Sequence, residues 1–209
     1  GETYVAATVL PETDSLSDMY SSVYVRERRA ALERYFDVVA AQDGHNIEYS
    51  DSCRCAKPAY YRLSAEGIDE SPLICGDCGK PVPLYRVPRM RGEDDMYELI
   101  CWRDAAVAMR KLWFYGLWDK FTYGETTRCR SKLNRKGREL RGKLEKALRV
   151  PVFYFIWRAS ADFADEYLPL GLPVGAPETC PLCGNSLTAV NGMLRCEKCR
   201  LEFEENRAE

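Results

Sequence analysis

Thr3 to Leu10 is a mostly alternating run rich in valine and alanine, which predicts a strand ended by Pro11. Asp14 and Ser15 are cap candidates for the segment beyond. There Val25, Leu32, Phe36 and Val39 recur at roughly helical spacing among charged residues until Gly44, the pattern of an amphipathic helix with its apolar side on a core. Ala59–Leu63 and Val82–Val87 read as short strands, the second held at a sheet edge by Pro81, Pro83 and Pro88. The clearest helix starts at Asp95, with Glu98 in capping-box position and Leu99, Trp102, Ala106, Met109 and Trp113 at alternating spacings of three and four. A polar segment leads to a second helix, from about Ser131 to Leu148. Its Leu133, Leu140, Leu144 and Leu148 share one side, and lysine and arginine fill the others. After Pro151 the aromatic run Val152–Trp157 is too short for a helix and predicts a buried central strand. Residues 168–179, LPLGLPVGAPET, hold three prolines and two glycines without periodicity and read as a linker.

These elements predict an α+β fold, a small mixed core of helices and short strands. Residues 1–50 hold the first strand and amphipathic helix, 51–92 a small metal-pinned sheet, 93–167 the helices and buried strand, 168–179 the linker and 180–203 a C-terminal zinc ribbon. On this division, removing residues 175–209 should leave a folded remainder. The chain opens at Gly1 rather than on methionine and is strand-like from Thr3, so a cloning scar or a missing N-terminal piece is expected.

Cysteine spacing adds the chemistry. Eight of the ten cysteines fall into two sets, Cys53-x-Cys55 with Cys75-x-x-Cys78 and Cys180-x-x-Cys183 with Cys196-x-x-Cys199, leaving Cys101 and Cys129. In the second set, glycine after Cys183 tolerates a tight turn, and Asn191-Gly192 is a strong hairpin signal between strands at Ser186–Val190 and Met193–Arg195, which return Cys196 and Cys199 to the first knuckle. The first set has a tighter bite at Cys53-x-Cys55 but the same Cys-x-x-Cys-Gly knuckle. Redox-active Cys-x-x-Cys pairs open a helix in a thioredoxin-like context that is absent here. Two zinc ions, each held by four thiolates, are therefore expected, and four protein ligands leave no position for an activated water. Knuckles of this kind in a chain lacking a basic-then-apolar leader place it in the reducing cytoplasm. Cys101, one residue from the Trp102 stripe, reads as a small buried or half-buried apolar residue.

At 46% hydrophobic and 30% charged over 209 residues, composition excludes a disordered or fibrous chain, and the longest apolar run, Val150–Trp157, is far from a membrane span. The net charge of -2 conceals an uneven distribution: residues 121–149 carry 10 basic and 3 acidic side chains, against 15 and 20 in residues 1–120 and 5 and 9 in residues 150–209. Arg128, Arg130, Lys132, Arg135, Lys136, Arg138 and Lys143, with Arg141, Lys146 and Arg149, are candidate phosphate contacts. Phe121 or Tyr123 is available to stack on a base. The same charges also suit a solvated amphipathic face or pairing with the acidic first 120 residues. Trp113, Tyr115 and Trp118 read first as packing. An enzyme is disfavoured: the single histidine, His45, sits in a Gly-His-Asn loop, and no phosphate loop, serine elbow or small-molecule site is evident.

Cys53-Arg-Cys55, the segment Ser71–Pro88 (SPLICGDCGKPVPLYRVP), Ser131–Gly137 followed by Val150-Pro-Val-Phe-Tyr, and the closing Cys180–Leu201 segment together resemble a bacterial family of unknown function. Its members are described as zinc-ribbon-containing proteins with a suggested nucleic-acid-binding role. The likeness covers most of residues 51–201 in order and implies zinc ligation by the eight cysteines, with no active site to carry over. The resemblance also implies occurrence beside toxin genes of the polymorphic Rhs type, and with it an immunity role for some members. Two functions result: a non-catalytic protein-binding inhibitor that neutralises a bacterial toxin, slightly favoured by the acidity outside residues 121–149, or a nucleic-acid binder using residues 128–149.

Overall fold

The computed structural model describes residues 15, 17–32, 52–65, 71–88, 90 and 95–205. The expected strand at 3–10, Phe36, Val39 and the His45 loop lie outside them. Among the described residues six strands form one sheet in the order β2-β1-β3-β6-β5-β4, so the fold is a mixed α+β one. The strands are β1 (Tyr61–Leu63), β2 (Leu73–Cys75), β3 (Val152–Phe155), β4 (Thr188–Val190), β5 (Met193–Cys196) and β6 (Leu201–Glu204). β3 runs parallel to both β1 and β6, while β1–β2, β5–β6 and β4–β5 are antiparallel. The aromatic run is central and buried as its composition predicts.

The helices are α1 (Val23–Leu32), α2 (Asp95–Phe114), α3 (Asp119–Thr127), α4 (Lys132–Leu148) and the short α5 (Ala164–Tyr167). Leu99 and Trp102 of α2 and Leu140 and Leu144 of α4 join Leu63, Leu73, Val152, Tyr154, Leu201 and Phe203 in one core. Met109 and Trp113 continue the α2 stripe half-buried. Ser131 caps α4, its hydroxyl accepting from the Asn134 N–H at 3.1 Å. Hydrophobic spacing does not reveal why Gly137 is a glycine: a Cβ there would lie 2.4 Å from the Tyr154 ring. That ring crosses the helix at this point, and its hydroxyl donates to Asn134 Oδ1 at 2.8 Å.

Several expectations change. Val82–Val87 is not a strand: Pro81 and Pro83 remove two ladder donors, only Val82 N–H reaches Leu73 O at 2.7 Å, and the chain turns into a 3-10 turn at Leu84–Arg86. The polar segment after α2 is helix α3, in which the hydroxyls of Thr122, Thr126 and Thr127 bond back to the carbonyls of Trp118, Thr122 and Tyr123. On α1, Val25 is exposed rather than on a core face. Glu98 reaches across to Lys136 and Lys143 of α4, while the cap expected of it at the start of α2 lies outside the described residues. Residues 168–179 are not a free linker. Leu172 is buried, Tyr123 Oη donates to Pro173 O at 2.8 Å, and Gly175 N–H to Ala159 O at 2.8 Å. The expectation that residues 175–209 detach does not fit a sheet in which β6 lies between β3 and β5.

Candidate metal centres

Topology brings the eight cysteines to one end of the sheet. Cys53 and Cys55 precede β1, and Cys75 closes the antiparallel β2, so this set lies at the start of β1. Cys196 closes β5 opposite Leu201 at the start of β6, and β1, β3 and β6 are mutually parallel along the chain of pairings. The second set therefore sits at the same end. One cluster clamps the β1–β2 edge and the other the β4–β5–β6 hairpins.

Within each set the four sulfurs lie within 4.8 Å of one another. Four sulfurs about 2.3 Å from one tetrahedral ion stand about 3.8 Å apart. Cys183 Sγ and Cys196 Sγ are 3.6 Å apart, so the geometry accommodates a metal ion. The two Cys-x-x-Cys-Gly knuckles are built alike. Cys75 N–H donates to Lys80 O at 2.9 Å and Gly79 N–H to Cys75 O at 2.9 Å; Cys180 N–H donates to Asn185 O at 2.8 Å and Gly184 N–H to Cys180 O at 2.8 Å. Both glycines take the left-handed backbone conformation, φ 71° and 72°, which glycine adopts without a Cβ penalty. The Asn191-Gly192 turn has φ 51° and 75°, the mirror-image turn predicted from the dipeptide.

Amide hydrogen bonds at the knuckles tune the thiols. Asn185 N–H pulls Cys183 down to about 7; burial pushes Cys78 up, but the Lys80 N–H and hydrogen bonds from Cys75, Cys53 and Cys55 together hold it below the ordinary thiol range. Burial pushes Cys53, Cys196 and Cys199 up. Each cluster thus holds one thiol shifted toward the thiolate, the form that ligates a metal. Cys55 and Cys78 are exposed, whereas in the second cluster Cys183 and Cys199 are half-covered.

Between the clusters lies an arrangement that sequence reasoning missed. Glu202, fully buried on β6, sits 2.6 Å from Arg62 Nε on β1 and 2.7 Å from Arg195 Nε on β5. The Arg195 guanidinium is 3.9 Å from the centre of the Tyr60 ring, and that ring closes against Gly76 of the first knuckle. An ion triad centred on a buried glutamate, with an aromatic ring beside it, therefore joins the strands that carry both sets of cysteines. In Leu-Glu-Phe, alternation alone sends the glutamate to solvent, and no sequence signal marks it as buried; its burial follows from the place of β6 inside the sheet, covered on both faces.

Of the candidate nucleic-acid contacts, Lys136 and Lys143 both pair with Glu98, at 2.8 and 3.4 Å, and hold its carboxyl below the usual range. Arg138 donates to Cys129 O and Arg128 to Gly171 O. Arg130, Lys132 and Arg135 are exposed and have no ion pair among the described residues. Tyr123 is fully buried and stacked on Tyr167, so it is removed from the stacking candidates, while Phe121 stays exposed. Cys101 is exposed, Cys129 buried. Trp113 packs as expected, its indole N–H 2.6 Å from Tyr167 Oη, but Tyr115 and Trp118 face solvent.

Residues 55–157 match a domain of unknown function (DUF2310). The DUF2310 match takes in Cys55, Cys75 and Cys78, helices α2 to α4 and β3, and ends before the second cluster. Two proteins of Haemophilus influenzae, each described as an uncharacterized protein, are similar. One is 22% identical over 95% of this chain and 76% of its own length, the other 24% identical over 76% and 77%. No solved structure matches significantly. No helix among the described residues is long and apolar enough to cross a membrane.

Proposed function

We propose that the chain is a non-catalytic binding protein in which two structural zinc ions, one in each cysteine set, staple the strand ends, the second set forming a zinc ribbon joined to the main sheet. Its partner is a protein, in the manner of an inhibitor or immunity protein against a cytoplasmic bacterial toxin. Four-thiolate sets of this spacing suit zinc, and closed coordination makes it a folding element rather than a catalyst. The observation that carries the protein partner is the state of α4: Lys136, Lys143 and Arg138 are already engaged within the chain, which reduces the phosphate-binding potential of the basic helix. Acidic surface elsewhere then suits a basic toxin domain.

Nucleic-acid binding is the second reading, favoured by the exposed Arg130, Lys132 and Arg135. Replacing these three with glutamine separates the two. A protein inhibitor still rescues cells that express its toxin and binds that toxin in purified form. A nucleic-acid binder loses RNA or DNA affinity and shows a flatter dependence on salt. Tight, salt-sensitive nucleic-acid binding without rescue would overturn the proposal.

A further inference from the structure

At the far end of α2 the chain reverses through a Schellman turn, with Leu117 N–H donating to Leu112 O at 2.8 Å and Gly116 N–H to Trp113 O at 2.9 Å. Around this fixed turn Phe114 is 77% exposed, Tyr115 69%, Leu117 54%, Trp118 74% and Phe121 60%. Phe163, 41% exposed, lies on the side of α5 with its ring 6.2 Å from the half-buried Trp113. Taking about 200 Å² for a fully exposed aromatic side chain, the group presents roughly 700 Å² of apolar surface. Monomers rarely expose contiguous patches beyond about 300–600 Å², and each partner in a standard interface buries about 800 Å². Trp118 also occupies a left-handed conformation, φ 55°, that a bulky residue adopts at a cost.

The charges around the patch are of both signs. Lys111 and Lys120 are exposed on the α2 and α3 side and have no ion pair among the described residues, with the half-buried Asp119 between Trp118 and Lys120. Asp162, Asp165 and Glu166 are exposed on the side of Phe163 and Tyr167. We infer that this surface is the two-fold interface with a second copy of the chain. A two-fold axis through the patch lays the aromatic turns on each other and sets the lysines of each copy against the carboxylates of the other, the self-complementarity that an isologous contact requires. A partner or bilayer of uniform charge meets one like-charged side. This inference goes beyond the inhibitor reading and does not depend on it.

The test is sedimentation equilibrium of the full, metal-loaded chain from about 1 to 100 µM, a range that spans ordinary homodimer affinities. The wild type should fit a monomer–dimer equilibrium, and Trp118→Gly and Phe121→Gln should each weaken it at least tenfold. Glycine suits the φ of residue 118 and glutamine suits an exposed helix position, so at concentrations where the wild type is monomeric both variants should unfold at or above its temperature. Chains carrying Lys111→Glu with Lys120→Glu, and chains carrying Asp162→Lys with Asp165→Lys, should each associate weakly alone and recover when mixed. A wild type monomeric at 100 µM, including one that binds phosphatidylglycerol vesicles as a monomer, overturns the inference. A dimer indifferent to Trp118→Gly and Phe121→Gln also overturns it.

Discussion

Two glycines on one helix should respond to alanine in opposite directions. Gly137 and Gly142 both lie in the interior of α4, where alanine is favoured over glycine by about 1 kcal/mol. Around Gly142 nothing lies within 4 Å of the added carbon, so Gly142→Ala should raise stability by about that amount. At Gly137 the added carbon would meet Tyr154 Cε2 at 2.4 Å and its hydroxyl oxygen at 2.5 Å. Tyr154 is buried, packed beside Trp102 with ring centres 5.8 Å apart, and tied to Asn134, so the ring has no solvent to move into. Overpacking of this kind costs about 1–3 kcal/mol, and losing the Tyr154–Asn134 hydrogen bond about 1 kcal/mol more. Against the helix gain, Gly137→Ala should destabilise by about 2 kcal/mol, which is roughly 4–8 °C in a chain of this size. Thermal and urea unfolding of both variants in the metal-loaded form measures the pair. A Gly137→Ala chain as stable as wild type would refute the account of how α4 seats on β3.

Glu202→Gln should cost about 3 kcal/mol in urea unfolding, the low end for a broken buried pair, since Arg195 would stay buried without its counter-charge while the half-buried Arg62 can turn to water; a loss below 1 kcal/mol would show the triad to be solvated in solution. Truncation after Gly175 should abolish cooperative unfolding, because it strips β6 from β3 and leaves Leu201 and Phe203 out of the core; a sharp two-state transition in the truncated chain would mean that the C-terminal strands are an appendage. Tyr60→Ala should loosen the first cluster, so that a chromogenic chelator removes its metal faster than from wild type, because the ring bridges Gly76 and Arg195; unchanged release would remove that link.

Much of the framework was legible because it rests on short-range rules. The α2 and α4 stripes follow helical spacing, the Asn191-Gly192 hairpin follows from its turn, and the cysteine sets follow from metal-ligand spacing. What escaped depends on non-local pairing. Nothing in the Pro- and Gly-rich 168–179 segment signals that Leu172 will fill a gap beside Tyr123, and nothing in β6 signals insertion between β3 and β5. Helix α3 was hidden because threonine reads as a poor helix former until its hydroxyl is seen returning to a carbonyl one turn back. The exposed Trp118 and Tyr115 went unrecognised because an aromatic residue reads as core by default.

The central claim, that two four-thiolate metal ions hold opposite parts of a single sheet, is tested most directly by native mass spectrometry of the chain during stepwise chelation, with unfolding followed on the same samples. Two zinc ions per chain, and loss of the cooperative fold when they are removed, is the predicted result. One ion or none in the folded chain, or a fold that persists once both sets are emptied, would contradict it.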